Sequence, residues 1–185
     1  MPKNLSVKQR ICADAILRSG AFTRGDFTLA SGQKSSYYID LSWCSLNYDG
    51  LGYICDAVEE EIDAHGFDAV AGPTAGADPI VSALVLRGLG RNLRGAFIRK
   101  EAKKNSHHMV EGAIIPGDNV VLIEDVTTTG QSAMRAAKIL EEERNCTVVG
   151  VISVVDRLQG AKELFENSAY EFVSILTIED LGVEL

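Results

Sequence analysis

The sequence predicts an α/β fold: a central parallel sheet covered on both faces by helices. Two patterns lead to it. Short, continuously apolar runs such as Val120–Ile123 have the character of strands buried on both faces. Segments with apolar residues at helical spacing alternate with them along the whole chain. A third observation bounds the answer. The 185 residues, 46% apolar and 24% charged, form one ordinary domain with enough material for a core, without repeats, low-complexity runs or linkers.

The elements follow in order. Val7, Ile11, Ala15 and Ile16 share a helical face, which predicts a helix over Ser6–Ser19. Phe22–Leu29 and Tyr37–Leu41 are strand-like and are separated by the turn-rich ASGQKSS. Tyr48, Leu51, Cys55, Val58 and Ile62 keep helical spacing, with Gly66 as the cap after His65. Asp68–Ala71 is a short strand, the loop GPTAGAD follows, and Pro79–Leu89 is a helix. Ala96–Arg99 ends another strand, before a polar stretch from Lys100 to Glu111. The rest is the strand Asn119–Ile123, the helix Gln131–Glu143, the strand Thr147–Val155, the helix Leu158–Asn167 and the strand Phe172–Leu176.

Charge and cysteine usage narrow the function classes. A net charge of -8 argues against general binding to nucleic acid or to an anionic membrane. No apolar run approaches the roughly 20 residues that span a bilayer. Cys12, Cys44, Cys55 and Cys146 have no CxxC spacing, and no apolar signal core follows MPKNLSVKQR. The expectation is a reduced, cytoplasmic protein.

Ligands of parallel sheets sit beyond the carboxyl ends of the strands, which directs attention to VVLIEDVTTTG, Val120–Gly130. A buried strand leads to Glu124 and Asp125, then to three threonines and Gly130, then to a helix. Backbone N–H groups and hydroxyls at a helix N-terminus converge on phosphate, and the helix dipole adds to the attraction. Two carboxylates would repel a bare phosphate. They fit a ligand that also offers hydroxyl donors, as ribose does. Solvated acids and a threonine-capped helix are the plainer alternative. Neither a GKS/GKT P-loop nor GxGxxG is present.

VVLIEDVTTTG resembles the signature of the type I phosphoribosyltransferases, which bind phosphoribosyl pyrophosphate. Three further segments are similar to the orotate phosphoribosyltransferases of that group: FTLASGQKSSYYID (Phe27–Asp40), FIRKEAKK (Phe97–Lys104) and VVDRLQGA (Val154–Ala161). The resemblance covers nearly the whole chain. It implies a type I phosphoribosyltransferase-like domain over residues 1–185, with residues 1–45 forming a small N-terminal hood. It also implies conversion of orotate and phosphoribosyl pyrophosphate to orotidine 5′-monophosphate and pyrophosphate, in pyrimidine synthesis. Mg²⁺ would arrive through the substrate rather than at a protein metal site. The implied assembly is a homodimer whose mobile loop serves the neighbouring subunit. Two alternatives stay open: a phosphoribosyltransferase for another base, and a non-catalytic sensor of phosphoribosyl pyrophosphate.

Site residues follow segment by segment. Arg99, Lys100, Lys103 and Lys104 make a basic island in an acidic protein, either a solvated loop or donors for departing pyrophosphate. By resemblance they belong to the mobile loop and bind phosphoribosyl pyrophosphate, with Lys100, Lys103 and Asp125 catalytic. Glu124 and Asp125 would hold the ribose hydroxyls. Asp125, Val126, Thr127, Thr128, Thr129, Gly130, Gln131 and Ser132 would hold the 5′-phosphate. Arg157 either pairs with Asp156 or presents its planar fork to a carboxylate. By resemblance it contacts orotate together with Thr128, Tyr37, Tyr38 and Lys34. GPTAGAD, Gly72–Asp78, resembles the family's pyrophosphate-binding loop. The chain departs from the family pattern at Ala30 and Gly76, where lysine is common, and at Asn105, where histidine is common. His107 and His108 follow closely and carry no assigned role.

Overall fold

The computed structural model describes residues 5–28, 32, 34–62, 66–90, 92–102 and 107–184. Helix α1 spans Val7–Ser19 and starts at a capping box: the Ser6 hydroxyl accepts from Gln9 N–H, and the Gln9 side chain accepts from Ser6 N–H. Gly20, in the left-handed region at φ 82°, ends it. Strands β1 (Phe22–Thr28) and β2 (Lys34–Ile39) form a separate antiparallel ribbon. The ribbon claims Lys34–Ser36, which composition places in the turn, because Lys34 and Ser35 find cross-strand partners in Thr28 and Phe27 of β1.

Short helix α2 (Ser42–Ser45) and α3 (Tyr48–Ile62) lead to the main sheet. Its strands are β3 (Ala69–Pro73), β4 (Arg94–Ile98), β5 (Val110–Gly112), β6 (Asn119–Thr127), β7 (Thr147–Asp156) and β8 (Glu171–Thr177). Helices α4 (Asp78–Arg87), α5 (Gln131–Arg144) and α6 (Ala161–Glu166) make the connections. The spatial order is β5-β4-β3-β6-β7-β8, parallel throughout except for antiparallel β5. The expected parallel sheet thus carries one antiparallel edge strand, three residues long inside the polar stretch and too short for a periodic signal.

Alternation along β6 explains why both faces are covered. Val121 and Ile123 join the core beneath α1, α3 and α4, whereas Val120 and Leu122 join the core beneath α5 and α6. All four are fully buried. The order of strands reverses between β3 and β6: the chain leaves β3 for β4 on one side and returns to β6 on the other. That switch point opens a crevice at the carboxyl ends of the two strands.

Two boundaries differ from expectation for physical reasons. β6 continues past Ile123 to Thr127, because its ladder with β7 runs to Thr127 opposite Asp156. Helix α6 begins at Ala161 rather than Leu158, because Leu158 (φ 55°) and Gly160 (φ 100°) are both left-handed and hold no helical turn. The cap expected after His65 falls beside residues outside those described.

Candidate active site

The crevice is lined by the β3–α4 loop on one side and by the end of β6 on the other. The loop stands close against the acids: a Cβ at Gly76 would lie 2.0 Å from Asp125 Oδ2. Deeper in, a Cβ at Gly72 would lie 2.4 Å from the Ala77 Cβ and 2.7 Å from the Ile123 carbonyl oxygen. Glycine at 72 lets the backbones of β3 and β6 approach, and glycine at 76 leaves room for the Asp125 carboxylate. A lysine at position 76, common in the family the sequence resembles, does not fit this arrangement without moving Asp125.

Glu124 lies inside the strand and is only 7% exposed. Its Oε2 is buried and makes no hydrogen bond among the described residues. Burial first, and then the charge of Asp125, push its carboxyl up to about 8, against the pull of the Lys100 ammonium. Burial raises the Asp125 carboxyl too; the Val126 N–H opposes the rise, the Asp40 carboxylate reinforces it, and Lys100 again opposes it. The Thr127 Oγ1 and Asp78 Oδ1 atoms are also buried without hydrogen bonds among the described residues. Orphaned buried acceptors are costly and call for an explanation. Here two neighbouring segments of the carboxyl edge, the end of β6 and the start of α4, supply acids or hydroxyls with unused capacity.

Thr128–Gly130 turns the chain from β6 into α5. Gly130 is the N-cap at φ 77°, and no side chain caps the helix. Its first-turn N–H groups therefore have no side-chain acceptor, which is the condition for binding an external anion. Gly130 is also tight against α6: a Cβ would lie 2.9 Å from the Phe165 ring. The phosphate loop is shorter than the sequence suggests, since Asp125, Val126 and Thr127 belong to β6 and only the last part is free of the ladder.

On the neighbouring strand β7, Asp156 and Arg157 carry the chain out of the sheet. The Arg157 N–H donates to the Thr127 carbonyl at 2.9 Å. Its guanidinium does not use Asp156. Nε donates to the Tyr37 hydroxyl at 3.0 Å, and the guanidinium carbon stands 4.9 Å from the Tyr37 ring centre. Tyr37 and Arg157 are 6% and 8% exposed, so this pair ties the ribbon to the main sheet in a dry environment. Tyr38 faces the other way, half exposed and packed against Phe27 with ring centres 5.6 Å apart. Lys34 donates to the Thr28 hydroxyl at 2.7 Å across the ribbon.

The basic island divides. Arg99 is engaged with Glu111 on β5, Nε to Oε1 at 2.6 Å and Nη2 to Oε2 at 3.0 Å. Lys100 is exposed and faces Glu124 and Asp125. Lys103, Lys104, Asn105 and Ala30 lie outside the described residues. The His108 Nδ1 stands 3.7 Å from the Glu143 carboxylate, away from the crevice acids and on the C-terminal turn of α5. Sequence reasoning missed Asp40 and Asp78, whose acidity has no local signature. It also missed Arg135, which lies one turn after Gln131 and so lines the same cleft.

A mostly parallel sheet, a crevice at its switch point, buried acids and an uncapped helix define a class: an α/β protein that handles phosphorylated sugars. Comparison with known proteins makes the class specific. Residues 51–183 match the family model for the phosphoribosyl transferase domain. The chain is 43% identical to an orotate phosphoribosyltransferase of Pyrococcus abyssi, over 90% of this chain and 91% of that one. It is 35% identical to that of Corynebacterium glutamicum, over 97% of both. The orotate phosphoribosyltransferase of Mycobacterium tuberculosis, solved with 5-phospho-α-D-ribosyl 1-diphosphate, superimposes with a TM-score of 0.80 at 31% identity, covering 95% of this chain and 99% of that one. The chain belongs to the phosphoribosyl transferase family, among its orotate phosphoribosyltransferases.

Proposed function

We propose that the carboxyl-edge crevice joins orotate to phosphoribosyl pyrophosphate, giving orotidine 5′-monophosphate and pyrophosphate. The observation that carries this reading is the buried, orphaned Glu124 beside Asp125, immediately before an uncapped helix. The 5′-phosphate lies on the N–H groups and hydroxyls of Thr128–Ser132, and the ribose 2′- and 3′-hydroxyls donate to Glu124 and Asp125. Hydroxyl donors satisfy the carboxylates in their ionised form, so ligand binding offsets the rise that burial imposes.

In the reaction the bond from C1′ to the pyrophosphate oxygen breaks, and the deprotonated ring nitrogen of orotate bonds to C1′. Positive charge develops on the ribose as the bond breaks, and Asp125 and Glu124 stabilise it. Lys100 and Lys103 receive the negative charge of the departing pyrophosphate, aided by Arg99 and Lys104. Arg157, held by Tyr37, presents its remaining N–H donors to the orotate carboxylate. Thr128, Tyr38 and Lys34 complete the base site. No covalent enzyme intermediate is needed, and the acceleration comes from positioning and electrostatics.

The hard acceptor oxygens of Asp125 and Glu124, where ribose hydroxyls and diphosphate meet, fit a Mg²⁺ ion held through substrate oxygens and water. Bound there, Mg²⁺ supplies charge neutralisation on the diphosphate.

The working unit of this proposal is one catalytic domain with residues 1–45 as its hood, acting as a homodimer that shares its mobile loop across subunits. Exposed Trp43, Leu46, Tyr48 and Tyr53 give the surface of α2 and α3 the apolar character that such an interface uses. Four free, buried thiols suit a reducing cytoplasm. Among the described residues, no helix is long and apolar enough to cross a membrane.

The test follows orotate absorbance with Mg²⁺ and phosphoribosyl pyrophosphate, with uracil and purine bases in competition. Selective orotate consumption is expected. Folded protein that leaves orotate untouched overturns the proposal, and preference for another base redirects it. Lys103→Ala should lower turnover at least tenfold with little change in melting temperature.

A further inference from the structure

A second cleft of about 330 Å³ adjoins the crevice, between the ends of β3 and β4 and the first turns of α5. Pro73, Arg99, Lys100, Ser132 and Arg135 line it. Three cationic side chains border it and, among the described residues, no acid lines it. Arg99 is already engaged with Glu111. Arg135 is exposed and, among the described residues, makes no ion pair or hydrogen bond. Arg135 sits one helical turn beyond Gln131, so α5 presents its N-terminus to the crevice and this guanidinium to the cleft beside it.

The β3–α4 loop makes the position of Arg135 meaningful. Thr74, Ala75, Gly76 and Ala77 carry no cation, and a side chain at Gly76 would have to displace the Asp125 carboxylate. A diphosphate leaving from the ribose must therefore find its positive partners elsewhere. The far side of the loop is this cleft.

We propose that Arg135 is a pyrophosphate-binding residue, which takes the diphosphate of phosphoribosyl pyrophosphate from the α5 side and supplies the charge that the Gly76 loop lacks. A guanidinium suits this task because its planar fork offers paired donors to phosphate oxygens without desolvating a compact charge. The inference rests on the phosphoribosyltransferase reading above.

The test compares wild type, Arg135→Gln and Arg135→Lys, measured in both directions with Mg²⁺ present. The expected result for Arg135→Gln is a KM for phosphoribosyl pyrophosphate, and for pyrophosphate in the reverse reaction, raised about tenfold or more. The KM for orotate should change less than about twofold, and Arg135→Lys should recover part of the loss. Equal diphosphate KM values in wild type and Arg135→Gln overturn the proposal. So does a parallel loss for orotate and diphosphate, which would mark a general structural role. Failure of the underlying reading looks different, because wild type itself would then show no turnover. Melting temperature controls for folding, and the exposed position of Arg135 predicts a shift of less than about 2 °C in the variant.

Discussion

The two ends of strand β6 treat buried acids in opposite ways. At the amino end Asp118 is 4% exposed and fully engaged. It accepts from Arg94 Nε at 2.8 Å, from a second Arg94 nitrogen, and from the Ile115 N–H at 3.0 Å. The hydrogen bond from Arg94 holds its carboxyl below the ordinary range. At the carboxyl end Glu124 is equally buried, lacks a partner at Oε2, and is pushed up to about 8 by burial. The residue that leads into the strand thus belongs to a finished structural ion pair, and six residues on Glu124 is an unfinished acid. The difference teaches where the fold keeps interaction capacity for a ligand. Unsatisfied acceptors lower the stability of the empty protein, and a ligand with hydroxyl donors recovers the loss.

Breaking the carboxyl end should give the largest effect. Asp125→Asn keeps the shape and removes the charge of one acid of the proposed pair, and kcat should fall about 100- to 1,000-fold. Steady-state kinetics with a melting-temperature control check this, and a fall under about fivefold would reduce the acid pair to a structural feature. Glu124→Gln should act on stability with the opposite sign. The Glu124 carboxyl is raised on folding, so its contribution is fully present below about 4.5 and is lost as pH rises through about 8. Without ligand, the glutamine variant should therefore gain on wild type across that window, by on the order of 5 kcal/mol at its alkaline end. Denaturant melts at pH 5 and pH 9 measure it, and a constant difference between the two would contradict the assignment.

At the amino end the sign reverses. Asp118→Asn should cost about 2 kcal/mol at neutral pH, because Arg94 loses its ionised partner. The contribution is present above about 3.8 and disappears as pH falls through the lowered folded value, so wild type and variant should converge in acid. Turnover per folded molecule should not change. The smallest effect is expected from Tyr37→Phe, which removes the acceptor for Arg157 Nε but keeps the ring beneath the guanidinium. The KM for orotate should rise about threefold to tenfold, with that for phosphoribosyl pyrophosphate unchanged.

The contrast also shows what the sequence could reveal. Continuous apolar runs made the central strands legible, and Val120–Ile123 was read from four adjacent residues. The continuation of β6 through Glu124–Thr127 was not, since only the partner strand β7 makes those polar residues part of a sheet. The succession of acid pair, hydroxyl residues and helix was legible because it is local in sequence. Arg99 was legible only as a cation. Its engagement with Glu111 depends on antiparallel β5, which folds the chain back across a gap that charge spacing does not encode. Likewise, Tyr37 and Arg157 lie 120 residues apart and meet only through tertiary packing.

The central claim is that Glu124, beside Asp125, is kept unsatisfied for the hydroxyls of a phosphorylated ribose. Calorimetric titration with ribose 5-phosphate and with 2-deoxyribose 5-phosphate tests it most directly, because the ligands differ by one hydroxyl and share the phosphate. Ribose 5-phosphate should bind about tenfold tighter to wild type, and the advantage should shrink to about twofold or less in Glu124→Gln. Equal affinity of the two sugars for wild type would contradict the account.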